Sequence, residues 1–324
     1  MSDKEKLLDF EKPILELETR IQELRSAARE GGVESLFKEI SELEVKLVEA
    51  QRELTERLTA WQRTQLARHA LRPGAFDLAT RIFDDILELH GDRSFGDDAA
   101  INVSMANLKG REVLLLGHIK GRETNERVKH NFGMAHPEGY RKVIRLIEFA
   151  ESFKKPVISL IDTPGAYPGI GAEERGQAWV IADAIEKFMK LEVPTISVVV
   201  GEGGSGGALA VGVADRVYML ENAIYSVISP EGCASILFRD AIRAPEAAAA
   251  MKITARHAES LGVIDGIIEE PPGGAHRDWD DTAKRLSERL ISSLEEISKM
   301  NTNERLAKRY EKFRKIGIFH EAES

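Results

Sequence analysis

Two runs of apolar, mostly β-branched residues constrain this chain more than anything else in it: Val157-Ile158-Ser159-Leu160-Ile161 and Ile196-Ser197-Val198-Val199-Val200. A strand with one wet face alternates polar and apolar residues. These two hardly do, so both of their faces must be covered, as in a parallel sheet lying between helices. Each run leads into a glycine-rich turn. The first is Asp162-Thr163-Pro164-Gly165-Ala166-Tyr167-Pro168-Gly169-Ile170-Gly171, and the second is Gly201-Glu202-Gly203-Gly204-Ser205-Gly206-Gly207. Further strands are expected at 113–116, 217–220 and 223–227, and helices at 138–153, 173–191 and 205–213. Strands alternating with helices argue for an α/β domain with mostly parallel strands.

The two ends have a different texture. Residues 1–68 are rich in Glu, Lys, Arg and Leu. Ile14, Leu17, Ile21 and Leu24 form one apolar stripe, and Leu36, Ile40, Leu43, Leu47, Ala50, Leu54, Leu58 and Trp61 form another. Steps of three and four place each stripe on one helix face, and Gly31-Gly32 offers a turn between two antiparallel helices. The α/β domain is expected over 69–275, ending near Pro271-Pro272-Gly273-Gly274. Residues 276–324 form a helical extension, with Leu286, Leu290, Leu294 and Ile297 on one face.

A formal charge of -9 argues against nucleic acid or an anionic membrane surface as a partner. A single cysteine, Cys233, permits no internal disulfide and no four-cysteine zinc site in this chain. The histidines show no metal-binding spacing, so no metal is expected here. With no secretory signal and no apolar run of about 18 residues, the expected location is cytoplasmic.

The second glycine turn carries the chemistry. A helix that starts after a strand presents unpaired N–H groups and partial positive charge. With no Cβ at Gly206 and Gly207, a substrate oxygen can approach their amides, which is the recipe for an oxyanion hole. Tight packing alone seldom needs so many glycines. Competing readings fail. Asp162-Thr163-Pro164-Gly165 resembles a GTPase motif, but no phosphate loop accompanies it. A G-x-G-x-x-G pattern at Gly201 lies too deep in the chain for a dinucleotide fold. Ser205 and Ser229 have no histidine placed to activate them. The first turn, stiffened by two prolines, reads as ligand-facing. A basic stretch holds Lys120, Arg122, Arg127, Lys129, Arg141, Lys142 and Arg145. It fits either a solvated face or contact with phosphates or an acidic carrier.

Together these segments resemble the alpha subunit family of bacterial-type acetyl-CoA carboxylase carboxyltransferase. The resemblance rests on Lys120-Gly121-Arg122-Glu123-Thr124, Asn131-Phe132-Gly133-Met134, Pro137-Glu138-Gly139-Tyr140-Arg141-Lys142, both glycine turns, and Tyr225-Ser226-Val227-Ile228-Ser229-Pro230-Glu231-Gly232-Cys233-Ala234. It spans nearly the whole chain. It implies a crotonase-type spiral of ββα units, flanked by the N-terminal hairpin and C-terminal helices. It implies transfer of a carboxyl group from carboxybiotin, held by a biotin carboxyl carrier protein, to acetyl-CoA, giving malonyl-CoA for fatty acid synthesis. The implied partner is a zinc-bearing beta subunit in an α2β2 assembly, with biotin carboxylase in the larger complex. Gly206 and Gly207 would then face the biotin ureido oxygen. Gly165, Ala166, Tyr167, Gly203, Gly204 and Ser205 would line the biotin site, and Lys120, Arg122, Arg141 and Lys142 are candidates for CoA phosphate or carrier contacts. Two other readings are a stand-alone acyl-CoA hydratase or hydrolase of the same fold, and a scaffold that assembles through its terminal helices.

Overall fold

The structure is a computed structural model describing residues 8–31 and 34–317. Helices α1 (Lys12–Gly31) and α2 (Glu34–Arg57) open it. Ile21, Leu24 and Ala28 pack on Ile40, with Leu36, Leu43 and Leu47 alongside. Arg25 lies 2.5 Å from Glu44 and Gln51 lies 3.5 Å from Glu18, so the pair is antiparallel. The turn at Gly31-Gly32 falls partly outside the described residues. The apolar stripe that seemed to lengthen the second helix belongs in part to a separate one. Helix α3 (Ala60–Ala67) starts afresh at Thr59, whose hydroxyl accepts from Gln62 N–H while the Gln62 side chain accepts from Thr59 N–H. Such a reciprocal cap is a strong helix start.

Next come α4 (Ala75–Ile82), β1 (Asp84–Glu88), β2 (Ile101–Leu108), β3 (Arg111–His118), α5 (Thr124–Lys129) and α6 (Pro137–Ser152). They are followed by β4 (Val157–Thr163), α7 (Ile170–Glu174), α8 (Gln177–Lys190), β5 (Thr195–Gly204) and α9 (Ser205–Leu209). The chain continues through β6 (Arg216–Leu220), β7 (Ile224–Ser226), α10 (Pro230–Phe238), α11 (Ala244–Met251), α12 (Ala255–Ser260) and β8 (Gly266–Ile268). It closes with α13 (Trp279–Ile297) and α14 (Thr302–Arg314).

Among the described residues all eight strands join one sheet, ordered β1-β2-β3-β4-β5-β6-β8, with β7 added to the edge of β5. The first three strands are antiparallel and the path from β3 to β8 is parallel. Every position of β4 is buried, as its sequence required. Helices α6 and α8 pack together on the sheet, and α4 and α13 form a second packed pair. Each fully buried Leu, Ile or Val contributes about 1.5–3 kcal/mol by leaving water.

Three expectations need correcting. The second glycine turn is shorter than its sequence suggested, because β5 runs on through Gly203 and Gly204. The helix expected over 205–213 stops at Leu209. The helix expected over 173–191 is two helices, broken at Gly176, whose φ of 82° interrupts the spiral.

The continuation of β5 is irregular. Ile161 pairs with Val199, but Thr163 pairs with Gly203, so β5 carries two extra residues between these pairings. A bulge bends its strand and re-aims the residues beyond it. Before it, β5 pairs with β6; after it, β5 pairs with β7, through Glu202, Gly203 and Gly204.

Candidate active site

Both glycine turns leave the carboxyl ends of neighbouring parallel strands, where ligands of open α/β sheets bind. They also lie against each other. A Cβ at Gly207 would sit 2.6 Å from Gly165 C and 2.7 Å from Ala166 N, and one at Gly204 would overlap the Pro164 carbonyl. Only glycine permits this approach. A Cβ at Gly203 would meet Tyr225 Cδ2 at 2.8 Å, whereas one at Gly206 would meet only the tip of Ile181, at 3.3 Å.

Ser205, between the glycine pairs, has φ 48°. A non-glycine residue in the left-handed region is uncommon, and such residues gather at functional sites. Gly204, Ser205 and Gly206 are partly open to solvent, and Gly207 is buried. Gly206 and Gly207 stand in the first turn of α9, where helical N–H groups lack partners. Among the described residues neither amide donates to a side chain or to backbone outside its own helix or strand. The helix thus presents two adjacent donors.

The first turn is held from behind. The Thr163 hydroxyl lies 2.6 Å from Gly133 O and accepts from Gly165 N–H at 3.1 Å. Tyr167 stacks on His136 with ring centroids 4.1 Å apart. Gln177 donates to both Ala135 O and Tyr167 O, at 2.8 and 3.0 Å. Gly165, Ala166 and Tyr167 thereby hold a fixed shape beside the second turn.

Under the turns lies a partly buried charge network that sequence reasoning missed. Lys120 Nζ is 2.7 Å from both Asp162 Oδ1 and Glu202 Oε2. Arg68 bonds the other Glu202 oxygen at 2.6 Å and reaches Glu231 at 2.6 Å. Burial alone would raise the Glu202 carboxyl, but Lys120 and Arg68 together outweigh it and hold it at about 2 against an ordinary 4.5. Beside this network a cavity of about 530 Å³ is lined by Arg68, Arg72, His118, Lys120, Arg122 and Phe132, among others. His118 is buried with no hydrogen bond to either ring nitrogen; burial, with the Lys120 charge, pushes it down to about 3, so it is neutral.

The basic residues expected to meet phosphates or a carrier are mostly spoken for. Lys142 is fully buried, with its ammonium 2.6 Å from Asp97 and 2.8 Å from Asp98 O, so it reaches no ligand. Arg141 bonds Asp92 at 2.7 Å and Arg175 O at 3.2 Å, bracing a loop. Lys120 is committed to its two carboxylates. Arg122 stands at the cavity rim, paired with Asp77 at 2.7 Å and stacked over Trp279. The cations were visible in sequence; the acids that neutralise them come from distant segments. Ser229 caps α10, accepting from Gly232 N–H at 3.0 Å, which agrees with its reading as a structural residue.

One histidine pair does gather with an acid. Glu11, His69 and His276 place ligand-type atoms within 4.8 Å of one another. The Leu71 N–H occupies Nδ1 of His69 at 3.1 Å, and the Arg277 guanidinium stands 3.1 Å from Glu11. A ring nitrogen that accepts from the backbone leaves its partner nitrogen protonated, and a neighbouring cation opposes a dication. The cluster instead ties the start of α1 to the sheet domain, with His276 Nε2 at 2.8 Å from Glu11. No helix among the described residues is long and apolar enough to cross a membrane.

The family profile described as "Acetyl co-enzyme A carboxylase carboxyltransferase-like" matches residues 7–317, which include both turns and the network beneath them. The chain belongs to this family. It is 52% identical over 314 residues to an acetyl-coenzyme A carboxylase carboxyl transferase subunit alpha of Thermus thermophilus, covering 97% of this chain and 99% of that one. It is 53% identical over 312 residues to the same subunit of Vibrio campbellii, covering 96% and 98%. Among solved structures, the transcarboxylase 12S hexamer matches with a TM-score of 0.52 at 24% identity, over 64% of this chain and 40% of that one. The beta subunit of geranyl-CoA carboxylase from P. aeruginosa matches with a TM-score of 0.52 at 18% identity, over 69% and 47%. A Pseudomonas malonate decarboxylase hetero-tetramer matches with a TM-score of 0.55 at 19% identity, over 66% and 86%. At these identities the solved structures speak for the fold alone, and that fold is the crotonase type.

Proposed function

We propose that the chain works as the alpha subunit of an acetyl-CoA carboxyltransferase, with the Gly206 and Gly207 amides as its catalytic groups. One observation carries the reading: two adjacent N–H groups in the first turn of α9, held in a cradle that any Cβ at Gly204 or Gly207 would fill. Carboxybiotin, borne by a carrier protein, supplies the carboxyl group and gathers negative charge on its ureido oxygen as that group leaves. The two amides donate to that oxygen. Removing one such donor costs about 2.7–4 kcal/mol in the transition state. Gly165, Ala166 and Tyr167 form the facing wall, and Gly203, Gly204 and Ser205 set the direction of the amides. The biotin nitrogen freed as the carboxyl group departs would take the methyl proton of acetyl-CoA, so no side chain of the chain is required as a base.

The beta subunit completes the site by holding acetyl-CoA, in an α2β2 assembly that works with biotin carboxylase. Exposed apolar side chains near the turns, Ile170, Trp179 and Leu209, fit burial against that partner. Zinc belongs to the partner, since Cys233 alone cannot build a four-thiolate site. The helical hairpin of 1–68 and the extension of 276–324 flank the catalytic domain of 69–275. The test is reconstitution: the chain with its beta partner forms malonyl-CoA from carboxybiotin and acetyl-CoA. Hydration or hydrolysis of an acyl-CoA by the isolated chain would replace this reading with a stand-alone enzyme.

A further inference from the structure

We propose that Lys120 is a positioning residue for carboxyl transfer: its ammonium ties Asp162 to Glu202 and thereby fixes the two glycine turns at whose entries those carboxylates stand. The inference rests on the reading of Gly206 and Gly207 as the catalytic donors.

The bulge in β5 is where the two turns lose their regular pairing. Between the Ile161–Val199 and Thr163–Gly203 pairings, β5 has two residues too many, and the ladder that would lock a regular strand is lost. Side chains replace it. Asp162 Oδ1 accepts from Glu202 N–H at 2.9 Å, and Gly201 has no Cβ to block that carboxylate. This places two carboxylates, each at the entry of a glycine turn, side by side in a buried site. Like charges this close repel unless a cation stands between them. Lys120 Nζ does so, at 2.7 Å from each.

Arg68 reaches Glu202 but makes no hydrogen bond with Asp162, so Lys120 alone bridges the pair among the described residues. The chain makes room for its stem: Gly133 has φ 83°, and a Cβ there would lie 2.8 Å from Lys120 Cγ. Without the ammonium, the repulsion falls on the bulge, where β5 loses its regular pairing with β4. The amides a few residues further on would then drift from the oxygen they face. A misplacement of about 1 Å costs about 100-fold in rate.

The experiment uses the chain assembled with its beta partner and measures malonyl-CoA formation. Lys120→Met is expected to lower kcat by about 10- to 100-fold. It should leave KM for acetyl-CoA within about threefold of wild type, because uniform substrate binding is not what it removes. Lys120→Arg should recover most of the loss. Wild-type kcat in Lys120→Met overturns the proposal, and so does a raised KM for acetyl-CoA at unchanged kcat, which would make Lys120 a CoA contact. If Lys120→Met fails to assemble, Lys120→Met/Glu202→Gln decides, because it removes the repulsion together with the ammonium: restored assembly and turnover support the clamp, and failure to restore them overturns it. Gly207→Ala run in parallel separates the two claims. If it turns over normally, the reading of the turn has failed; if it is inactive while Lys120→Met is normal, only the clamp has failed.

Discussion

Adding one methyl group at Gly207 should be far more damaging than adding it at Gly206. At Gly207 the new Cβ would face Gly165 C at 2.6 Å, Ala166 N at 2.7 Å and Gly165 O at 2.9 Å. All three are backbone atoms, so no side-chain rotation relieves the contact. Ordinary contact begins near 3.4 Å, and the two turns would have to part by the better part of an ångström. Overpacking of this kind costs about 1–3 kcal/mol of stability. Displacing the donor from its oxygen adds a rate loss on the order of 100-fold. At Gly206 the nearest atom is Ile181 Cδ1 at 3.3 Å, the end of a flexible side chain, and the amide stays in place. Gly206→Ala should therefore keep turnover within about fivefold of wild type, well short of the loss of a whole donor. The assay is malonyl-CoA formation by each variant assembled with the beta partner, alongside thermal melts. Equal damage from the two substitutions, or normal turnover in Gly207→Ala, would refute the reasoning.

Arg309→Met should destabilise the chain by about 3–5 kcal/mol, because it strands a buried charge. Arg309 is fully buried in α14, bonds Asp215 at 2.8 and 2.9 Å, and covers the carbonyls of Phe188 and Leu191 at 2.6 and 2.8 Å. A urea midpoint indistinguishable from wild type would show that α14 contributes little. Acid should weaken the fold through carboxylates held low by their partners. Despite burial, which raises them, Glu202 is held at about 2 by Lys120 and Arg68, and Glu270 at about 2 by Arg72 and Asn222. A carboxyl whose folded pKa is depressed contributes stability above its unfolded pKa, near 4.5, and loses it as pH falls toward 2. For Glu202 this amounts to about 3 kcal/mol. Denaturant melts from pH 5 to 2.5 should fall more steeply for wild type than for Glu202→Gln; parallel curves would contradict the assigned shift.

Much of the catalytic half of the fold was legible in the sequence because burial on both faces leaves a plain mark. Val157 to Ile161 and Ile196 to Val200 could be little else than inner parallel strands, and the turns after them had to be glycine-rich to come together. The N-terminal helices were legible for a similar reason, through their apolar stripes. Strand β1 was not, since Asp84, Asp85 and Glu88 give an edge strand no apolar signature. In β2, Asn102, Ser104 and Asn107 hide a strand that is nonetheless buried along most of its length. Helices α10 to α12 are short and alanine-rich, with too little amphipathic contrast to read. The basic stretch misled for a physical reason: a cation shows in sequence, but its counter-charge shows only after folding. Asp162, Glu202, Asp97 and Asp92 each neutralise a cation more than forty positions away in the chain.

The central claim is that two backbone amides face the oxygen of biotin. A structure of the chain assembled with its beta partner and bound to biotin measures that directly. The account predicts the ureido oxygen at about 2.7–3.1 Å from both Gly206 N and Gly207 N. Biotin bound with that oxygen turned away from these amides, or seated in the cavity beside Arg72 and His118, would contradict it.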